Sequence, residues 1–143
     1  MRRSGKRIRV VIDTNLCISM LIGKRLAELR PIFALPKYEM VISETLLEEI
    51  RLVTAREKFA CYFNPSDVAA FLQFLRDNAT SFRFQQVTPR CRDPKDDFLL
   101  ELAVVSHADI LLSGDADLTD MGHIGSCRIM SATDFLLFNQ GRE

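Results

Sequence analysis

The sequence predicts an α/β fold: a three-layer α/β/α sandwich with a central parallel sheet. Short, β-branched apolar runs alternate with stretches of helical periodicity along the whole chain. Strands joined through helices pair in parallel, because a parallel pair needs a long crossover. A chain of 143 residues, 48% of them hydrophobic, is long and apolar enough for one core. A single domain is therefore expected over 8–140, preceded by a basic and partly mobile tail over 1–7.

The first strand is expected over Ile8–Ile12, where four of five residues are β-branched. Thr14–Ile22 reads as a helix with Gly23 as its stop, and Leu26, Leu29, Ile32 and Phe33 recur at helical spacing before Pro36. Tyr38–Ile42 returns to strand character. Ser43 is a natural N-cap for a helix carrying Leu46, Leu47, Ile50 and Val53 on one face. Another helix runs from Pro65 through Val68, Phe71, Leu72 and Leu75, and Phe82–Val87 reads as a short strand. Asp93-Pro94-Lys95-Asp96 combines a capping Asp, a Pro at the first helical position and an acid in the first turn, so a helix should start there and run through Phe98, Leu102 and Val105. Ile110–Leu112 and Arg128–Met130 are the remaining strands, and Thr133 through Phe138 forms a last helix.

Composition excludes several classes. Lys plus Arg and Asp plus Glu both number 19, so the whole chain has no net field to attract a polyanion, and affinity for nucleic acid must come from local clusters. Arg2, Arg3, Lys6, Arg7 and Arg9 form one such cluster. No apolar run has the length of a membrane span or follows these cations as a secretory signal would, so no membrane association and a cytoplasmic location are expected. Cys17, Cys61, Cys91 and Cys127 are widely spaced, which suggests neither a zinc site nor a redox pair. His107 and His123 are left out of any mechanism: a cation at a helix end suits the dipole there. The phenylalanines at 59, 63, 71, 74, 82 and 84 have the spacing of core residues.

The carboxylates carry the functional argument. In open parallel sheets the working crevice lies beyond the carboxyl ends of the strands. Asp13 directly follows the first strand, and Asp115 follows Ile110–Leu112 within Ser113-Gly114-Asp115-Ala116-Asp117-Leu118. Asp115 could equally cap a short helix, and Asp96 could complete a capping box with Asp93. Of the acids after Tyr38–Ile42, a helical wheel centred on Leu46 places Glu49 about 60° away, bordering the buried face, and Glu44 and Glu48 about 160° away in solvent. Carboxylates drawn together repel one another unless a cation lies among them. Hard oxygen ligands without neighbouring His or Cys suit Mg²⁺ or Mn²⁺, ions that support phosphodiester hydrolysis.

Four blocks in order, Val10-Val11-Ile12-Asp13-Thr14-Asn15, Val41-Ile42-Ser43-Glu44 with Glu48-Glu49, Arg92-Asp93-Pro94-Lys95-Asp96-Asp97 with Leu100-Glu101-Leu102-Ala103, and Ala108-Asp109 with Ser113-Gly114-Asp115-Ala116-Asp117-Leu118, resemble the PIN domains, in particular the VapC-like ribonucleases of bacterial toxin–antitoxin pairs. The resemblance spans Arg7 to Phe138. It implies a parallel sheet between helices and a metal-dependent endoribonuclease acting on RNA, silenced by a small antitoxin protein, and it leaves a homodimer open. By position it implies an acidic site of Asp13, Glu49, Asp96 and Asp115, with Asp117 as an auxiliary metal ligand and Asn15 and Ser43 as supporting polar groups. Asp13 and Asp96 would bind the principal metal ion, Asp115 would complete the site or hold a second ion, and Glu49 would orient the attacking water. Ser113 stands where family members commonly have Thr.

A haloacid-dehalogenase-like phosphatase would need a second Asp at the position of Asn15. A Rossmann or P-loop protein would need glycines after the first strand, where Asp13-Thr14-Asn15-Leu16 has none. The remaining alternative is a noncatalytic PIN-like domain that binds RNA or protein.

Overall fold

Seven short helical segments and six strand segments leave little choice but to layer helices over a sheet, and the computed structural model shows this arrangement for the described residues, 7–22, 29–56, 61–84 and 96–141. The strands are β1 (Ile8–Ile12), β2 (Tyr38–Ile42), β3 (Thr80–Ser81), β4 (Ile110–Leu112), β5 (His123–Ile124) and β6 (Cys127–Met130). The helices are α1 (Thr14–Ile22), α2 (Leu29–Phe33), α3 (Glu44–Thr54), α4 (Pro65–Asn78), α5 (Asp97–Val105), α6 (Ala116–Thr119) and α7 (Ala132–Gly141). The expectations for the tail over 1–6, for Gly23, Leu26 and Phe59, and for Cys91 and Asp93 to Lys95 fall outside the described residues.

The sheet has the order β3-β2-β1-β4-β6-β5. Ile8 pairs with Tyr38 on one side of β1, and Val10 and Ile12 pair with Ile110 and Leu112 on the other, all in parallel. Val10, Val11, Leu111 and Leu112 are fully buried, as continuous apolar strands must be when helices cover both faces. The chain moves outward from β1 through β2 to β3, then returns to start again at β4 on the other side of β1. Right-handed crossovers therefore place α1 to α4 on one face, where α1 packs on α3 and α3 on α4, and α5 and α6 on the other. The gap between β1 and β4 is the topological switch point.

The α/β fold class is as expected, and two of its details are corrected. The sheet is mixed, since β5 pairs antiparallel with β6; two residues suffice for that hairpin, with Gly125 at φ +58 in its turn. The strand expected at Phe82–Val87 lies earlier, at Thr80–Ser81, because Phe82 and Phe84 pack on the core outside the ladder; residues 85–87 are not among those described. Of the helix expected to open at Pro94, the described part has Asp96 in a helical conformation at its start and α5 proper from Asp97; residues 93–95 are not among those described.

Local chemistry explains the elements that matched. The Ser43 hydroxyl accepts from the Leu46 amide at 3.2 Å and starts α3, and Asn64 caps α4, with Pro65 at its first position. His107 has φ 54 and closes α5: its amide donates to Val104, and the Ala108 amide donates to Ala103, so its role there is a helix stop. Among the described residues no helix is long and apolar enough to cross a membrane.

At the amino-terminal end of the sheet, Arg9 ties three elements together. Its guanidinium reaches Glu39 at 3.2 Å and donates to the Ser106 carbonyl at 2.6 Å, while Thr80 donates to the second oxygen of Glu39 at 2.6 Å. Burial pushes the Glu39 carboxyl up, but the hydrogen bonds from Thr80 and Arg9 and the charges of Arg9 and Arg7 outweigh it and hold it below its ordinary 4.5. A depressed carboxyl contributes stability above its unfolded pKa and loses it as pH falls through its folded value. Glu39→Gln is therefore expected to be about 1 to 2 kcal/mol less stable at neutral pH and to lose stability less steeply below pH 4.5, which urea denaturation at several pH values would show. Parallel curves for the two proteins would remove Glu39 from the acid response.

Candidate active site

Asp13 emerges from the carboxyl end of β1 directly into α1, and its side chain works as that helix's cap: Oδ1 accepts from the Leu16 amide at 2.8 Å. Its amide donates to the Leu112 carbonyl at 3.0 Å, which fixes the residue against the end of β4. Asp13 is only 5% exposed. Oδ2 accepts from the Ser113 hydroxyl at 2.6 Å, and the same hydroxyl oxygen accepts from the Asp115 amide at 2.9 Å. One buried serine therefore links the acid after β1 to the acid after β4, across the switch point. Desolvation pushes the Asp13 carboxyl up; hydrogen bonds from Ser113, Leu16 and Gly114 oppose this, and the charge of Asp115 adds to the rise.

Asp115 is a helix cap beside the end of β4. It caps α6 by accepting from the Asp117 amide at 2.9 Å through Oδ1, and it lies close enough to Asp13 to act on its ionisation. Asp117, half-buried, is in the first turn of α6. On α3 the wheel is borne out: Glu44 and Glu48 are 70% and 54% exposed, in ion pairs with Arg76 and Arg51, whereas Glu49 is half-buried. Ser43 is buried in its capping bond, and Asn15, the second residue of α1, is exposed.

Asp96 makes no side-chain capping bond, and its Oδ2 is buried without a hydrogen bond although the residue interacts elsewhere. Its neighbour Asp97 is more deeply buried, at 5%, and Glu101, one turn later, is 9% exposed. The end of α5 is anchored beside Arg9, where the Ser106 and Asp109 backbones meet β1. Counting back nine residues at ~1.5 Å each from Ser106 raises Asp97 by roughly 13 Å, the same as the four-residue rise from Arg9 to Asp13 at ~3.3 Å each. By this count Asp97, the first residue of α5, lies toward the carboxyl edge of the sheet, near the level of Asp13. Ser113, Asp97 and Glu101 lie in the matching blocks but were given no place in the acidic site from the sequence; the available signals were a hydroxyl directly after a buried strand and two acids four residues apart on an otherwise apolar helix.

Among the described residues, no three His, Cys, Asp or Glu side chains gather into a group able to hold a metal ion. The structure brings Asp13 and Asp115 together but does not close Glu49, Asp96 and Asp117 around them. The pair that does meet has the chemistry of a hard-cation site: two carboxylates, one buried, held by backbone amides and a hydroxyl, with no His or Cys ligand. The buried cysteines offer no rival chemistry. Burial and the Asp13 charge drive the Cys17 thiol far up, and burial and Asp109 push Cys127 up to about 12.

A doubly wound α/β domain with acids at its switch point is thereby defined. The chain belongs to the PIN domain family, whose model matches residues 9–117. Its fold is similar to the crystal structure of VapBC2 from Rickettsia felis bound to a DNA fragment from their promoter, with a TM-score of 0.60 and 11% identity over 87% of this chain and 98% of that one. No curated protein matches the sequence significantly.

Proposed function

We propose that the chain is an endoribonuclease that hydrolyses phosphodiester bonds in RNA with Mg²⁺ or Mn²⁺, and that it is the toxin half of a toxin–antitoxin pair. The observation that carries this reading is the pairing of Asp13 with Asp115 through Ser113 at the switch point. Asp13 and Asp115 would hold the ion, with Asp117 and an acid from the start of α5, Asp96 or Asp97, completing its shell. Such an ion supplies charge neutralisation at the phosphate and lowers the pKa of water.

The chain's own groups supply the rest. Ser113 can donate only one proton, and giving it to Asp13 Oδ2 keeps that oxygen an acceptor. Its remaining contact with the Asp115 amide fixes the turn that presents Asp115. Glu49, half-buried on the neighbouring helix, orients the water that attacks phosphorus as the bond to the leaving oxygen breaks. Asn15 and Ser43 are supporting polar groups, Ser43 by fixing the start of the helix that carries Glu49. The antitoxin half is supported by the VapBC neighbour and by an apolar groove of about 610 Å³ between α1, α2 and α4, lined by Leu21, Pro31, Ala34, Phe71 and Phe74.

The test is to incubate the purified protein, freed of any partner, with a mixed single-stranded RNA pool in Mg²⁺, Mn²⁺ or EDTA. Cleavage with either ion and none in EDTA is expected. Cleavage unaffected by EDTA would sink the metal-dependent reading, and no cleavage under any condition would favour a noncatalytic binding domain.

A further inference from the structure

Among the described residues, the carboxyl edge of the sheet is charged unevenly. Around α6 it carries Asp115, Asp117 and Asp120, whereas beyond β3 it carries Arg83, which is exposed. Arg7, Arg9, Lys37 and Arg128 belong to the other edge: Arg7 and Lys37 directly precede β1 and β2, Arg9 is second in β1, and Arg128 is level with Ile110, at the start of β4. Arg76 reaches the carboxyl edge on the β3 side, where it meets Glu44, the second residue after β2, at 3.5 Å.

The backbone holds Arg83 in place. The Phe82 amide donates to the Ile42 carbonyl at 2.9 Å, which continues the chain along the end of β2. Phe82 and Phe84 are part-buried and pack against the core, and the Arg9 guanidinium lies 5.2 Å from the centre of the Phe82 ring. With its two neighbours turned inward, Arg83 is held outward, as alternation along an extended segment requires. A cation pinned in this way loses less freedom on binding a phosphate than one on a mobile loop.

We infer that Arg83 is a phosphate contact that seats single-stranded RNA on the β3 flank of the acidic crevice, with Arg76 as a second contact partly masked by Glu44. Resting on the ribonuclease reading, the inference adds a direction: the substrate backbone crosses from β3 over the end of β2 to the β1/β4 gap and is excluded from the acidic α6 side.

The two positions predict effects of opposite sign. Binding of a labelled single-stranded RNA oligonucleotide is measured by anisotropy in EDTA over a range of salt concentrations. Arg83→Ala is expected to weaken binding roughly five- to tenfold and to reduce the salt slope by about 0.7, the value for one phosphate contact on a single strand. Arg83→Lys should keep most of the slope. Glu44→Gln should tighten binding severalfold by removing an anion and freeing Arg76, and thermal melting checks that each variant is folded. Unchanged affinity and slope in Arg83→Ala, weaker binding by Glu44→Gln, or no binding by the parent protein would each overturn the inference. Metal-dependent cleavage by the parent, measured alongside, separates this failure from failure of the ribonuclease reading.

Discussion

Asp13→Asn is expected to reduce metal-dependent RNA cleavage on the order of 10³-fold, the equivalent of several kcal/mol of lost charge stabilisation. The substitution keeps the size of the side chain and removes its charge. It also turns one of two acceptors into a donor: Oδ1 accepts from the Leu16 amide and Oδ2 from the Ser113 hydroxyl, so the new amide nitrogen either faces an N–H or forces the Ser113 hydroxyl to turn away. One change therefore disturbs both acids at the switch point. A second readout does not depend on turnover. Mg²⁺ or Mn²⁺ at about ten times its dissociation constant should stabilise the parent by roughly 1.4 kcal/mol, a rise of a few degrees in Tm. The variant should lose that rise while remaining folded. Cleavage within a few-fold of the parent, or an undiminished metal-induced rise, would remove Asp13 from the site.

The second large effect concerns two adjacent acids. Asp97→Asn is expected to lower cleavage on the order of 10²-fold, and more than Asp96→Asn does in the same assay. Asp97 is buried at 5% at the start of α5, toward the carboxyl edge, whereas Asp96 is half-buried and stands at the N-cap position. A buried carboxylate is tolerated only where it is paired, hydrogen-bonded or bound to a cation, so its burial at the sheet's working edge has functional weight. Loss of the helix-dipole interaction at the start of α5 accounts for at most about 1 kcal/mol of stability, which melting curves would register separately from activity. If Asp96→Asn is the more damaging variant, the principal ligand from α5 is Asp96, the residue that the sequence motif favours.

Much of the framework was legible in the sequence because it is built from local rules. The β-branched run Ile8–Ile12 became β1 and the Leu46, Leu47, Ile50 and Val53 face of α3 became core, with limits set by Asp13 and Ser43. The same periodicity put Glu49 at the border of the core and Glu44 and Glu48 in solvent. The edge of the sheet was less legible. A two-residue strand such as β3 or β5 has no periodicity of its own, and its pairing is decided by the strand beside it. At the start of α5, Asp93-Pro94-Lys95-Asp96 has the pattern of a helix opening, and the described residues take up that helix at Asp96 and Asp97. Which acid lies on the buried face is decided by how α5 packs, and the face that takes Asp97 also takes Glu101 one turn later.

The sequence by itself determined the alternation of strands and helices, the acid that ends β1 and the hydroxyl that starts α3, since capping and periodicity involve residues within about four positions of one another. That β1 lies between β2 and β4, that Ser113 meets Asp13 across 100 residues of chain, and that Asp97 is buried on α5 came from the tertiary fold alone. These depend on which strands become neighbours and how far a helix runs beside them, and the packing of the whole core fixes both.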